Sequence, residues 1–276
     1  MSRGITKRSC DLGGNALVQP ILEMQGIQKY FPGVHALDDC RFELRAGEVH
    51  ALVGENGAGK STLMKILSGI YPRDGGSVRL DGREINVKST LEAQRLGISI
   101  IHQEINLMQD LTVSENIYIG REPTQGILLN GAKQDAQTNA LLDSLRLTDI
   151  RAGTRVRTLT VAKQQMVEIA KALSFSNTRI LIMDEPTAAL TESEIEDLFT
   201  FIRRLKAQGV GIVYISHRME ELRIIADRVT VMRDGKYVGT RNMADVSMDD
   251  IISMMVGRVI YEQPKTKSAC LLYTSD

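Results

Sequence analysis

Four short, almost wholly apolar runs mark the middle of the chain: residues 48–53, 97–101, 179–183 and 211–215. Strands that are apolar on both faces are typical of parallel sheets covered by helices. Apolar residues at helical spacing separate these runs, most clearly over Glu192–Ala207. The pattern predicts an α/β fold with a mostly parallel sheet.

A different pattern surrounds the first of these runs. Residues 21–24 and 40–44 alternate between apolar and polar side chains, and residues 30–34 form a turn pattern between them. Residues 78–85 have the pattern of a hairpin with an Asp-Gly turn. These features predict an N-terminal antiparallel β subdomain. Residues 105–175, by contrast, contain little strand pattern and predict a mostly helical insertion.

The first apolar run leads into a glycine-rich loop and then into a helical pattern. The loop fits G-x-x-x-x-G-K-[ST], the phosphate-binding P-loop. Its glycines allow successive N–H groups to face phosphate oxygens, and the helix N-terminus adds the positive end of its dipole. We expect Lys60 to reach the β- and γ-phosphates of a nucleotide and Ser61 to bind Mg²⁺. The candidate nucleotide-binding residues are Gly54, Glu55, Asn56, Gly57, Ala58, Gly59, Lys60, Ser61 and Thr62.

Polar residues follow three of the other predicted strands: Gln103, Asp184-Glu185 and His217. Ligands of such sheets bind at the carboxyl ends of the strands, so we expect these side chains to converge on the nucleotide. Asp184 and Gln103 are candidate Mg²⁺ ligands beside Ser61, and Glu185 is a candidate general base for the attacking water. His217 would hold that water or contact the γ-phosphate. Singly, an Asp-Glu pair is often a helix cap and a lone His is often structural, but their joint position favours function.

Composition narrows the class of partner. Lys plus Arg and Asp plus Glu both number 34, so the formal net charge is zero, and only 4% of residues are aromatic. Nucleic-acid binding usually needs a basic surface or aromatic platforms, so we expect no nucleic-acid partner. No apolar run is long enough to predict a membrane span. Cys10, Cys40 and Cys270 have no metal-site spacing or disulfide pattern, which favours a reducing cytoplasm.

In chain order, the P-loop, Gln103, the strand ending in Asp184-Glu185 and His217 resemble the ATPases of ATP-binding cassette (ABC) transporters. Residues 164–173 and 211–219 are similar to the first half of duplicated ATPases that power bacterial import of sugars such as ribose, galactose, arabinose or xylose. The resemblance implies a P-loop NTPase core, with both the antiparallel β subdomain and the helical insertion subdomain. The expected domain order is a flexible tail (1–20), an ABC nucleotide-binding domain (21–260) and a tail (261–276) that is truncated or derived from cloning. The two tails are expected because the sequence shows no clear pattern there.

The resemblance also implies two further sets of site residues. An aromatic ring upstream of the P-loop would stack on adenine; Phe31 matches best, Tyr30 is the alternative, and either ring could instead only fill the sheet. The family signature, Leu-Ser-Gly-Gly-Gln, closes over the γ-phosphate held by the opposite cassette. It corresponds here to Leu159, Thr160, Val161, Ala162 and Lys163.

Both signature glycines are therefore replaced, and Thr191 stands where the loop after Glu185 normally ends in Asp. We expect an unequal pair of nucleotide sites. The site built on this chain's own P-loop and completed by a partner's signature would be the better hydrolytic site.

The function implied by the resemblance is that of an ATP-binding and ATP-hydrolysing subunit, peripheral on the cytoplasmic face of the cell membrane, that powers a sugar permease. Its expected partners are permease subunits, a second cassette in cis or in trans and, indirectly, a periplasmic sugar-binding protein. Two alternatives remain open: a non-hydrolysing or regulatory nucleotide-binding cassette, and a soluble ABC protein that acts on ribosomes or DNA. The sequence does not identify the sugar.

Overall fold

A computed structural model describes residues 19–175 and 177–257. The strands are β1 (Leu22–Phe31), β2 (Val34–Leu44), β3 (Val49–Val53), β4 (Gly75–Leu80), β5 (Arg83–Ile85), β6 (Ile98–Ile101), β7 (Thr124–Gln125), β8 (Leu128–Leu129), β9 (Ile180–Asp184), β10 (Gly211–Ile215), β11 (Arg228–Arg233) and β12 (Lys236–Asn242). The α-helices are α1 (Lys60–Leu67), α2 (Thr90–Arg95), α3 (Val113–Tyr118), α4 (Gly131–Ser144), α5 (Val161–Leu173), α6 (Glu192–Ala207), α7 (Met219–Ile225) and α8 (Met248–Val256).

The central sheet has six strands in the order β12-β11-β3-β10-β9-β6. All neighbouring pairs are parallel except β11 with β12. Every residue of β3 and β10 is buried, as their continuous apolar sequences predict. The parallel arrangement brings the carboxyl ends of β3, β9, β10 and β6 to one edge of the sheet, next to the P-loop.

A second sheet, of four antiparallel strands in the order β2-β1-β4-β5, forms the predicted N-terminal β subdomain. Its buried side chains, among them Leu22, Ile27 and Leu44, share one hydrophobic cluster with Leu63 and Met64 of α1. The helix that begins at the P-loop is therefore fixed between the two sheets.

Helices α3, α4 and α5 form the predicted helical insertion. The N-terminus of α3 is a capping box. The Thr112 hydroxyl accepts the Glu115 amide, and the Glu115 carboxylate accepts the Thr112 amide. Leu142 of α4 and Val167 and Ile169 of α5 pack into the same core as the central sheet.

The structure differs from the sequence-based prediction in several places. Tyr30 and Phe31 belong to β1 and not to a turn; the chain reverses at Pro32-Gly33. Strand β1 was predicted too short because its pairing with β2 shifts register after Met24, which breaks the alternation of apolar and polar residues. Helices α2 and α8 and the two-residue strands β7 and β8 were not predicted. Helix α2 and the two strands are too short to show periodicity.

The tails predicted at 1–20 and 261–276 lie outside the described residues, apart from residues 19 and 20. No helix in the described part of the chain is long and apolar enough to cross a membrane.

Candidate functional site

The P-loop connects β3 to α1 and needs glycine at two of its positions. A Cβ atom at Gly54 would lie 2.3 Å from the backbone oxygen of Met232. Gly59, which caps α1, has a φ of 94°, a conformation that side-chain-bearing residues rarely adopt. The loop backbone can therefore curve tightly at the N-terminus of an eight-residue helix, where free N–H groups favour an anion.

The Lys60 ammonium group bridges its own loop, donating to the backbone oxygens of Gly54 (2.7 Å) and Glu55 (2.9 Å). Burial lowers the pKa of Lys60, while the nearby carboxylates of Glu185 and Asp184 oppose that shift. Among the described residues, only backbone carbonyls lie at hydrogen-bond distance from this half-buried cation, so it is suited to receive a phosphate oxygen.

The P-loop faces a cavity of about 510 Å³. The structure brings most of the sequence-predicted residues to this one space: Asn56, Gly57, Gly59, Lys60, Ser61, Thr62, Gln103, Asp184 and Glu185 line it. Ala58 instead lies buried in the cluster beneath the loop. The cavity joins the ends of β3, β6 and β9, as the rule for ligands of parallel sheets predicts.

The Asp184 carboxylate ends β9 and lines the cavity together with Ser61. Burial raises the pKa of Asp184; the Ser61 hydroxyl counteracts this, and the Glu185 charge adds to it. A cation beside Asp184 would offset both the burial and the neighbouring negative charge. The hydroxyl, the carboxylate and the Gln103 amide are oxygen donors of the kind that Mg²⁺ prefers, so the residues present fit this ion. No group of three or more His, Cys, Asp or Glu side chains suited to a metal occurs within 19–175 and 177–257.

Glu185 and His217 form a pair at the open side of the cavity. The Glu185 Oε1 atom lies 3.1 Å from Nδ1 of His217, and the Glu185 amide donates to the Ile215 carbonyl at 2.9 Å. Glu185 has a φ of 49°, a left-handed conformation that costs free energy in a non-glycine residue. His217 does not itself line the cavity and reaches it through Glu185.

The two candidate adenine-stacking rings lie in different surroundings. Phe31 contacts Tyr71 edge-on, with ring centroids 5.3 Å apart. Tyr30 is half exposed, and its ring stacks on His35 with centroids 4.1 Å apart. His35 lines the cavity, whereas neither aromatic does. The position of His35 favours the Tyr30 alternative, and both assignments remain predictions.

Sequence reasoning missed His35, Asp234 and Gly235 as lining residues. The Asp234-Gly235 turn connects β11 to β12, and its position beside the P-loop depends on contacts between the two sheets. The Gly235 carbonyl accepts from the Asp38 amide at 2.7 Å and from the Cys40 thiol at 2.8 Å. No local sequence signal specifies those contacts.

The signature segment lies at the N-terminus of α5, apart from this cavity. Thr160 is the N-cap, with its hydroxyl 3.4 Å from the Lys163 amide. Lys163 forms an ion pair with Asp149 at 2.7 Å, and Val161 is 41% exposed. Thr160, Ala162 and Lys163 line a second cavity, against α6. The helix N-terminus that the resemblance implies is present, and its first two residues carry side chains.

The model of the ABC transporter family matches residues 37–188, more than half of the chain. The chain belongs to the ABC transporter family. It is 61% identical over 258 residues to a putative ribose/galactose/methyl galactoside import ATP-binding protein 2 of Burkholderia cenocepacia (strain HI2424), covering 93% of this chain and 50% of that protein. It is 56% identical over 248 residues to the ribose import ATP-binding protein RbsA 1 of Rubrobacter xylanophilus (strain DSM 9941 / JCM 11954 / NBRC 16129 / PRD-1), covering 89% of this chain and 49% of that protein.

Solved ABC cassettes share the fold. The crystal structure of the ADP conformation of an ATP-binding cassette from an ABC transporter superposes with a TM-score of 0.75 at 26% identity, over 87% of this chain and 100% of that one. The predicted family and fold class are thus confirmed. This ABC cassette spans about half the length of the curated relatives it matches.

Proposed function

We propose that this ABC cassette, comprising residues 21–260, binds and hydrolyses ATP to power a permease that imports a sugar. One observation carries the hydrolytic part: Lys60, Ser61, Asp184 and Glu185 converge on a single cavity at the ends of the parallel strands. Sugar import is supported by the names of the relatives, which are import ATP-binding proteins for ribose or galactose.

Each residue has a distinct part in the proposed reaction. Lys60 and the P-loop N–H groups bind the β- and γ-phosphates. Mg²⁺, held by Ser61, Asp184 and Gln103, would neutralise phosphate charge when bound. Glu185 accepts a proton from the attacking water, and His217, 3.1 Å from its carboxylate, orients that carboxylate.

The partner cassette completes this site. Its signature would close over the nucleotide held by Lys60, while this chain's signature would close over the partner's nucleotide. Val161 and Ala162 place side chains where close backbone approach is needed, so the two composite sites would be unequal. A regulatory cassette without hydrolysis is the second candidate, and the same two residues favour it.

A groove of about 590 Å³ follows the Gln103 segment and suits the permease contact. The apolar and aromatic side chains lining it include Leu91, Ile100, Ile117, Ile119 and Phe175. The Arg121 guanidinium stacks on the Phe175 ring at 3.8 Å. We assign this groove to the cytoplasmic loops of the permease, and we infer that the cassette lies on the inner face of the membrane. A periplasmic sugar-binding protein would act indirectly, through the permease.

The test is Mg-ATP binding and hydrolysis by the purified chain, with Lys60→Ala as the critical variant. Removing the ammonium group should weaken binding at least about tenfold and abolish turnover, because it removes the cation that contacts the phosphates. Lys65→Ala, on the same helix with its ammonium group 5.7 Å from the Tyr71 ring centroid, is the matched control and should change neither. Binding without turnover would favour the regulatory candidate or a requirement for the partner's signature, and absence of binding would contradict the proposal.

A further inference from the structure

A buried carboxylate outside the proposed reaction joins the two loops that carry Glu185 and His217. Glu221, on α7, is 6% exposed. Its Oε2 atom accepts hydrogen bonds from the hydroxyls of Thr187 (2.9 Å), Tyr214 (2.8 Å) and Ser216 (3.2 Å). Its Oε1 atom accepts from the Arg218 guanidinium at 3.1 Å. An ionised carboxylate has acceptor sites for all four donors.

Two of these donors belong to the catalytic loops. Thr187 lies two residues after Glu185, and Ser216 immediately precedes His217. Both hydroxyl-bearing residues are buried, with 2% and 3% exposure. The Ser216 oxygen also accepts the Arg218 amide at 3.0 Å, which closes the turn around His217. One carboxylate therefore holds both loops at positions adjacent to the residues proposed to act on the water.

The backbone between the loops explains why such an anchor matters. Glu185 has a left-handed φ of 49°, and a strained residue persists only where its surroundings fix it. Its amide is bound to the Ile215 carbonyl, next to Ser216. The Thr187 hydroxyl fixes the chain on the other side of the strained residue.

We propose that Glu221 is a positioning residue that sets the Glu185 and His217 loops relative to each other for ATP hydrolysis. The inference rests on the proposed roles of Glu185 and His217. It assigns Glu221 no contact with nucleotide, because the residue does not line the P-loop cavity.

Glu221→Gln tests this at constant side-chain volume. The glutamine NH₂ group would face either the three hydroxyls or the guanidinium, all of which are donors. The Glu221 clamp, meaning the hydrogen bonds from the Glu221 carboxylate to the two loops, is therefore weakened. Turnover by the assembled transporter should fall about ten- to a hundredfold, since displacements of about 1 Å at a reacting group have effects of that order. The Kd for Mg-ATP should stay within about twofold. Glu220→Gln is the matched control, being the exposed neighbour on the same helix, and should change neither quantity.

Two comparisons separate positioning from general stabilisation. Thr187→Val breaks the link to the Glu185 loop and should reduce turnover several-fold, whereas Tyr214→Phe removes a donor on β10, leaves both loop links and should have a smaller effect. In a Glu185→Gln background, Glu221→Gln should add no further loss, because it acts through Glu185. Full turnover by Glu221→Gln, additive losses in that background, or equal losses in the Thr187 and Tyr214 variants would overturn the proposal.

Amide hydrogen exchange gives a readout that needs no turnover. Glu221→Gln should speed exchange in residues 184–190 and 215–218, and Glu220→Gln should not. If Glu221→Gln leaves exchange unchanged in both loops, the proposed positioning role of Glu221 is overturned, whether or not hydrolysis occurs. If the unmodified transporter binds no ATP, the proposed function fails, while exchange confined to these loops would still support the clamp.

Discussion

The P-loop cavity and the signature segment are both built at a helix N-terminus, but they offer different atoms to a nucleotide. At the cavity, Gly54 and Gly59 allow tight curvature, and the side chains of Lys60, Asp184 and Glu185 supply charge. At α5, Thr160 caps the helix N-terminus, and Val161, the first helical residue, has a β-branched side chain. The comparison supports our proposal of two unequal nucleotide sites, because the P-loop cavity keeps its charged side chains and the α5 terminus carries side chains where the family signature has glycines.

Burial strengthens the contrast. Asp184 is held in a partly buried position that raises its pKa, and Glu185 has a strained backbone; both states have free-energy costs that a functional site can explain. Val161 is 41% exposed and packs in neither core cluster. Packing therefore does not require valine there, and the position is free to change.

Glu185→Gln should produce the largest effect on this comparison. Loss of a general base costs about a hundred- to ten-thousandfold at the affected site. If the site on this P-loop carries most hydrolysis, total turnover of the assembled transporter should fall at least about tenfold while Mg-ATP still binds. Phosphate release and nucleotide titration measure the two quantities. A pair of equal, independent sites would instead retain about half of the turnover, and that result would contradict the inequality.

The double substitution Val161→Gly with Ala162→Gly tests the signature segment. Its effect on turnover should be smaller than that of Glu185→Gln. In a Glu185→Gln background the remaining turnover belongs to the site completed by this signature, and it should rise several-fold because backbone approach is restored. Glycines also weaken the first turn of α5 by about 1 kcal/mol each.

The matched control for that variant is Ala132→Gly with Lys133→Gly, in the exposed first turn of α4. It imposes a similar helix cost away from the signature and should leave the remaining turnover unchanged. A rise in the control, or no rise in the signature variant, would count against an effect of the two side chains on the partner's site.

The sequence predicted the cavity better than its surroundings, and the reason is physical. Strands β3, β9 and β10 are buried on both faces. Their apolar runs and the polar residues that follow can therefore be recognised in the sequence without knowing which strands pair. His35 reaches the cavity only because β2 carries it there, and its stacking on Tyr30 depends on the hairpin register. Glu221 has an ordinary helical sequence context, and only the fold brings three hydroxyls to it.

Glu168 connects the signature helix to the segment after Gln103, which lines the P-loop cavity. Its substitution should have the smallest of the predicted effects, and the effect is on stability. It lies on α5, the signature helix, and its Oε1 atom accepts the Asn106 amide at 2.6 Å, three residues after Gln103. Burial raises the pKa of Glu168, and the Asn106 hydrogen bond opposes the shift. The unfolded chain therefore loses this proton at lower pH than the folded chain. Stability from this group is greatest below the ordinary glutamate pKa and decreases as pH rises through the folded value.

Glu168→Gln keeps an oxygen acceptor for Asn106 and removes the titration. The pH slope of the unfolding free energy should change by at most one proton. The variant should lose less stability as the pH rises from the ordinary glutamate pKa through the higher folded value. Urea unfolding at several pH values measures this slope, with Glu196→Gln as the control that removes an exposed carboxylate from α6. An unchanged slope would mean that the Glu168 proton does not couple to folding. A changed slope would show that Glu168 connects the Gln103 segment to the signature helix through a carboxylate whose charged form is destabilised by burial.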